Sequence, residues 1–80
     1  MKQVTDGEID EARFLKRLGK ALIAMAVQKS KSLERVAYEA GVSKGYIYDI
    51  AKGKANPSIL ILYRISSALE VPVWKITKSL

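Results

Sequence analysis

The side chains best suited to chemistry in this sequence are three lysines, two tyrosines and an aspartate, which crowd into residues 44–54. Lysine ammonium groups donate hydrogen bonds and attract phosphates, tyrosine hydroxyls donate or accept, and aspartate accepts. The chain contains neither histidine nor cysteine. Imidazole acid–base chemistry, thiol nucleophiles, disulfides and thiolate zinc sites are therefore excluded, whereas binding of a polyanion is not.

The carboxylates do not form a recognisable catalytic pair. Glu34 and Glu39 are five residues apart, so they lie on different faces of a helix and cannot share a site for general acid–base catalysis. The remaining acids do not converge on a common position. We therefore predict that the chain is not an enzyme, with no catalytic residue, no metal ligand and no cofactor.

The charge balance favours a nucleic acid as partner. The formal net charge is +6, and half of the eight acids lie within the first eleven residues. From residue 12 onward there are 13 bases and four acids, which gives this part a charge of +9. Such an excess attracts polyanions, of which nucleic acid is the commonest inside cells. On charge alone, a merely solvated basic surface is an equal alternative.

Eighty residues suffice for a single small core, and the apolar periodicity predicts an all-α, compact fold of five helices. The first helix is expected to begin after Asp6 as N-cap and to run to about Lys29. Its buried stripe is predicted to contain Phe14, Leu18, Leu22 and Met25.

The last two helices are predicted from their proline signals. Asn56 is expected to cap the fourth helix, with Pro57 in its first position. Its inner stripe is then Ile59, Leu62, Ile65 and Leu69. Pro72 opens a fifth helix that contains Trp74, Ile76 and Leu80.

Between these elements, residues 32–50 have the pattern of a helix-turn-helix. Ser32 caps a short helix, and Ala37 is small where two crossing helices must approach. Gly41 allows the left-handed turn, and Val42 places an apolar side chain in the corner. Ser43 then caps a helix over residues 44–51 whose exposed side suits the major groove of B-DNA.

This pattern resembles the Cro and lambda-repressor type of helix-turn-helix domain, also called the xenobiotic-response-element family. The resemblance runs from Leu18 to Ile76 and depends on an ordered set: Leu18-Gly19, Ser32, Ala37, Gly41-Val42-Ser43, Tyr46-Ile47, Ile50, Gly53, Asn56-Pro57-Ser58, Ala68-Leu69 and Val71. It divides the chain into an N-terminal extension over residues 1–17, which lengthens the first helix, and a DNA-binding domain over residues 18–80.

The resemblance implies a regulator of transcription that binds a palindromic operator in double-stranded DNA as a homodimer, with the third helix in the major groove. The residues it places at base edges are Lys44, Gly45, Tyr48 and Asp49. The residues it places at the DNA backbone are Ser32, Ser43, Tyr46, Lys52, Lys54, Asn56 and Ser58. For Tyr48 a thymine methyl, a phosphate and no contact at all stay open, and for Asp49 cytosine N4 competes with a helix ion pair to Lys52.

Two departures from the family pattern stand out. Leu33 occupies the position where the family usually has a glutamine that braces a phosphate and the recognition helix. Ala26 and Ala51 replace an arginine and an acid that usually pair, and we interpret them as a packed substitute for that ion pair.

Some apolar residues exceed what a core of this size needs. Leu60, Ile61, Trp74 and Leu80 are predicted to form a dimer interface, since exposed apolar groups of this size commonly mark one. The alternative is that Phe14 or Leu15 of the long first helix covers them. The longest apolar run, Ala21 to Val27, is too short to cross a bilayer, and no signal peptide is recognisable, so we expect a cytoplasmic, nucleoid-associated protein.

A second function class competes with DNA binding. A protein-interaction module on the same fold, such as an antitoxin-like protein or a partner of another regulator, would also explain Leu33 and the surplus apolar surface. The lysines at positions 44, 52 and 54 favour DNA.

Overall fold

A computed structural model describes residues 9–78 and residue 80, and these form five α-helices. Their bounds are α1 Glu11–Gln28, α2 Leu33–Ala40, α3 Lys44–Ala51, α4 Ile59–Ala68 and α5 Val73–Thr77. The first helix packs on α3 and α5, α2 packs on α3 and α4, and α4 packs on α5. No helix among the described residues is both long enough and apolar enough to traverse a bilayer.

The start of α1 differs from the prediction. Asp10 is its N-cap, and the Asp10 carboxylate accepts a hydrogen bond of 3.0 Å from the backbone N–H of Arg13. Ile9 and Asp10 are not helical, so the helix does not run unbroken from Asp6, which itself lies outside the described residues. A carboxylate that satisfies a free N–H in the first turn fixes where a helix begins.

The core lies where the helices meet, and its buried apolar side chains come from all five of them. These are Leu18, Leu22, Ala26, Val36, Ala37, Ala40, Ile47, Ile50, Ile65, Ala68, Leu69 and Ile76. The predicted stripe of α1 is correct for Leu18 and Leu22, and Met25 packs against the core edge. It is wrong for Phe14, which is 50% exposed because the first turns of α1 extend past the core.

The helix-turn-helix forms as predicted. Gly41 adopts the left-handed conformation, with φ of 72°, and its N–H donates to the Tyr38 carbonyl. The N–H of Val42 donates to the Ala37 carbonyl over 3.0 Å, while its side chain packs against the core. Ser43 then caps α3. The turn is therefore held by backbone hydrogen bonds on one side and by apolar contact on the other.

An arginine from α4 closes this turn from outside. Arg64 donates from Nε to the Ala40 carbonyl over 2.9 Å and from Nη2 to the Gly41 carbonyl over 3.1 Å. These carbonyls lie at the C-terminal end of α2, where no further helical N–H is available to them. The positive charge of Arg64 at this end also interacts favourably with the negative pole of the α2 helix dipole.

The start of α4 also corrects the prediction. Ser58, rather than Asn56, is the N-cap, and its hydroxyl accepts from the N–H of Ile61 at 3.1 Å. The buried face of α4 is centred on Ile65, and Ile59 lies about 120° around the helix from it. Ile59 is consequently 71% exposed instead of lining the core.

A close approach between helices brings Gly19 of α1 against the end of α3. A Cβ atom on Gly19 would lie 2.7 Å from the Ile50 carbonyl oxygen and still closer to the Ala51 carbonyl oxygen. The Ala51 carbonyl group thus contacts α1 at Gly19, which lies about two helical turns before Ala26. Ala26 is buried and Ala51 is partly buried, and their packing on each other stays a prediction.

This approach predicts that Gly19→Ala destabilises the protein although alanine is the better helix former. The added methyl group has to displace backbone, which costs about 1–3 kcal/mol, against a gain in helix propensity of about 1 kcal/mol. Urea unfolding measures the difference in unfolding free energy.

Gly45→Ala is the matched control, since a Cβ atom there meets nothing within 4 Å. We expect that variant to be unchanged or slightly more stable. A Gly19→Ala protein as stable as Gly45→Ala would contradict the close approach.

Candidate nucleic-acid interface

One side of α3 is anchored in the core and the other side is open. Ile47 and Ile50 are buried, whereas Lys44, Gly45 and Asp49 are exposed. These three are among the residues predicted to reach base edges. The spacing of the two isoleucines fixes the rotation of the helix, so the polar side chains share the outward side.

The first turn of α2 reaches across to this side and contacts two of the predicted base-reading residues. The Glu34 carboxylate accepts a hydrogen bond of 2.8 Å from the Tyr48 hydroxyl. The same Glu34 oxygen lies 3.8 Å from the Lys44 ammonium nitrogen. Lys44 and Tyr48 are one helical turn apart, and the structure brings them together around this carboxylate.

The Glu34 contact changes the proton affinities of both partners. The Tyr48 hydrogen bond, a hydrogen bond to the backbone and the Lys44 charge hold the pKa of Glu34 below its ordinary value, so the carboxylate is ionised. The same hydrogen bond raises the pKa of Tyr48. At neutral pH the pair is therefore a carboxylate and a neutral phenol that donates to it.

Asp49 stands apart from this cluster. Among the described residues, Asp49 and Lys52 do not form the helix ion pair that the sequence also allows. The Asp49 backbone carbonyl instead accepts from the N–H of Lys54 over 2.8 Å. The side chain of Asp49 is thus left exposed on α3, and Lys52 and Lys54 are exposed immediately after the helix.

Three of the predicted backbone-contacting residues are N-caps. The hydroxyls of Ser32, Ser43 and Ser58 accept from the third N–H of α2, α3 and α4, each at 3.1 Å. Each serine hydroxyl still has its own proton to donate, and the first N–H groups of these helices have no helical acceptor. Tyr46 packs partly against the core, whereas Asn56 is exposed.

Two other bases near the motif are engaged within the protein. Lys31 donates to the Glu39 carboxylate at 2.7 Å and to the Ala68 carbonyl, and its side chain is only 13% exposed. Arg35 donates to the second Glu39 oxygen at 2.9 Å. Lys31 therefore ties α2 to the end of α4.

The predicted dimer residues divide into two pairs. Leu60 and Trp74 are 62% and 58% exposed. Ile61 and Leu80 are partly buried and pack against the core of the same chain. Leu80 also lines one groove with Phe14 and Leu15 of α1. Coverage of the predicted dimer residues by the first helix stays a prediction.

The sequence did not reveal further residues of two surfaces, the exposed apolar surface of α4 and the open side of α3. Ile59 and Tyr63 of α4 are 71% and 58% exposed beside Leu60, and they enlarge the apolar surface. From the sequence, Glu34 is only excluded from a catalytic carboxylate pair with Glu39, and its contacts with Tyr48 and Lys44 were missed. Its position in the first turn of α2, facing the first turns of α3 across the motif, was the available signal.

Comparisons with known proteins assign the motif to a family. Residues 22–73 match the model of the helix-turn-helix family HTH_3. The chain is 36% identical over 55 residues to the HTH-type transcriptional regulator SlrR of Bacillus subtilis (strain 168), over 68% of this chain. The match spans about a third of that regulator's length, 36%.

Solved structures agree with this fold. An HTH_3 family transcriptional regulator from Vibrio cholerae superposes with a TM-score of 0.80 and 26% identity, over 88% of this chain and 39% of that one. The restriction-modification controller protein C.AhdI from Aeromonas hydrophila gives a TM-score of 0.76 at 22% identity, over 78% of this chain and 94% of that one. The predicted compact five-helix, lambda-repressor-like fold is confirmed, and the family is one of regulators rather than enzymes.

The cluster around Glu39 predicts how stability depends on pH. Lys31 and then Arg35 lower the pKa of Glu39 in the folded protein below its ordinary value of 4.5. A carboxyl group with a lowered folded pKa stabilises the protein above its unfolded pKa, and this contribution is lost as the pH falls through the folded pKa. The unfolding free energy should therefore decrease below about pH 4.5.

Glu39→Gln should be less stable at pH 7 and should show a smaller decrease on acidification, as followed by urea unfolding at each pH. Glu11→Gln is the control, because it removes a carboxylate from an exposed first turn elsewhere. Parallel pH profiles for wild type and Glu39→Gln would contradict the role of this cluster.

Proposed function

The chain belongs to the HTH_3 helix-turn-helix family, and from this premise we propose that it is a sequence-specific regulator of transcription, of the repressor or controller type. It binds a palindromic operator in double-stranded DNA as a homodimer, with α3 in the major groove. A protein with this function acts in the cytoplasm, on the nucleoid.

One observation carries this proposal: α3 is fixed by buried Ile47 and Ile50 and presents Lys44, Gly45 and Asp49 to solvent, with Tyr48 beside them. A rigid helix with polar side chains on its open face is what base readout in the major groove requires. Lys44 is proposed to contact a guanine, because its ammonium group suits O6 and N7.

The backbone contacts follow from the ends of three helices. Lys52 and Lys54 supply positive charge just after α3, and the N-termini at Ser32, Ser43 and Ser58 supply N–H groups and the positive poles of helix dipoles. Tyr46 and Asn56 are proposed to complete this phosphate-binding set. These groups position the protein on DNA and carry no sequence information themselves.

Dimerisation is proposed through α4 and α5, which pack on each other and expose Leu60 and Trp74. Ile61 and Leu80 support this surface from the core side. Two copies related by a twofold axis would set their α3 helices about 34 Å apart, which is one turn of DNA. The fold similarity to C.AhdI, a restriction-modification controller protein, supports a small regulator of this kind.

A protein-interaction module is the second candidate. It is favoured by one observation, the exposed apolar side chains of Ile59, Leu60 and Tyr63 on α4. A module of that kind would bind its partner through this surface and would show only weak, salt-sensitive binding to DNA.

Selection of the protein against random duplexes at about 0.15 M salt separates the two candidates. We expect an enriched palindrome whose half-sites lie one helical turn apart, and tight binding to it over random DNA. Absence of any enriched sequence would refute the regulator and favour the interaction module.

Two lysine variants, titrated on the enriched site, then assign the roles. Lys54→Ala should weaken binding to all sequences alike and lower the salt slope by about one. Lys44→Ala should relax the preference at one base pair, at a cost of about 1–3 kcal/mol. Identical behaviour of the two variants would make Lys44 a phosphate contact only.

Leu60→Gln tests the dimer surface. Because Leu60 is exposed in the monomer, the fold should survive, while the dimer dissociation constant should rise about tenfold or more in sedimentation equilibrium. Val27→Gln on α1 is the control, because Val27 is 71% exposed on another helix. A Leu60→Gln dimer as tight as wild type would place the interface elsewhere.

A further inference from the structure

The carboxylate of Glu34 lies at the junction between α2 and α3, on the side that the proposed function turns toward DNA. A negative charge there opposes the approach of phosphates, so it weakens DNA binding in general. Its side chain is 48% exposed and that of Lys44 is 69% exposed, so their 3.8 Å ion pair contributes little to stability. The ion pair with Lys44 therefore does not by itself explain an acid that faces the proposed DNA surface.

The hydrogen bond from Tyr48 points to a different role. A phenolic oxygen has one proton to donate and lone pairs with which to accept. The Tyr48 proton is directed to Glu34 at 2.8 Å, which leaves only lone pairs for a further partner. Phosphate oxygens are acceptors only, as are guanine O6 and N7 and thymine O4, so none of them can pair with Tyr48 in this arrangement.

Two groups in the major groove can donate a hydrogen bond to those lone pairs: the exocyclic amino group of adenine (N6) and that of cytosine (N4). We propose that Glu34 is a specificity-determining residue, because it binds the Tyr48 proton and so makes Tyr48 a hydrogen-bond acceptor that selects a base with an exocyclic amino group. Glu34 acts through Tyr48 and is a positioning residue for it. This inference rests on the proposed function.

The ionised state of Glu34 supports the assignment, since the Tyr48 hydrogen bond and Lys44 both lower the pKa of its carboxyl group. A carboxylate cannot donate to Tyr48, so the direction of the hydrogen bond is fixed. Leu33, its neighbour in the first turn, packs against the core and cannot brace α3 with a polar group.

The test compares wild type, Glu34→Ala and Tyr48→Phe by selection against random duplexes, followed by titration of every single-base change in the enriched site. Because every base pair carries one such amino group, we expect the wild type to require adenine or cytosine on the strand next to Tyr48 at one position in each half-site. Both variants should lose preference at that same position, by about three- to tenfold. Glu34→Ala should also bind random DNA about two- to fivefold more tightly, because a negative charge has been removed.

Two controls separate this effect from general ones. Glu70→Asn removes a carboxylate at the far end of α4, at an exposed residue whose φ of 60° asparagine tolerates, and it should leave every base preference unchanged. Lys44→Ala should alter a different base pair. Equal thermal unfolding of the variants excludes a general loss of structure, which would weaken all sites alike.

The outcomes are distinct. If the wild type enriches no sequence, the proposed function and this inference both fail. If it enriches a site that Glu34→Ala and Tyr48→Phe read as the wild type does, only this inference fails. A loss of preference in Glu34→Ala but not in Tyr48→Phe would also overturn it, since Glu34 would then contact the base itself.

Discussion

The contact of α1 with the end of α3 at Gly19 is the constraint on which the rest of the structure depends. The α1 backbone lies against the carbonyls of Ile50 and Ala51, and a side chain at position 19 would force the two helices apart. Because α2 packs on α3 and α4 packs on α2, a shift of α3 at this contact would move the whole helix-turn-helix. Ile47 and Ile50 therefore set the rotation of α3, and the absence of a side chain at Gly19 sets how closely the end of α3 lies to α1.

Local signals in the sequence were sufficient for much of this fold. The turn at Gly41 and the caps Ser32 and Ser43 act within four residues, so their effects are visible in the sequence. The errors at Phe14 and Ile59 have a different origin. Both sit in the first turns of helices whose periodicity is regular, but where the core ends depends on the other helices, and one sequence pattern does not contain that information.

The candidate site likewise combines features that the sequence predicts with contacts that it does not. The exposed face of α3 follows from periodicity, yet the partners of its side chains come from residues distant in sequence. Tyr48 and Glu34 are 14 residues apart, and Arg64 reaches carbonyls 23 and 24 residues before it. Glu34 and Glu39 each contact two side chains that donate a hydrogen bond or carry a positive charge. The sequence alone does not show these partners, yet the contacts hold the neighbouring basic side chains in place.

Arg64 connects the apolar surface of α4 with the turn between α2 and α3. It follows Tyr63 directly and lies one helical turn after Leu60, yet its guanidinium group closes the turn before α3. Docking of a second copy on that surface would restrict the rotamers of Arg64, and with them the motion of the turn. Assembly and preorganisation of α3 would then be coupled, and an assembled protein would lose less conformational entropy on meeting its target than an isolated chain.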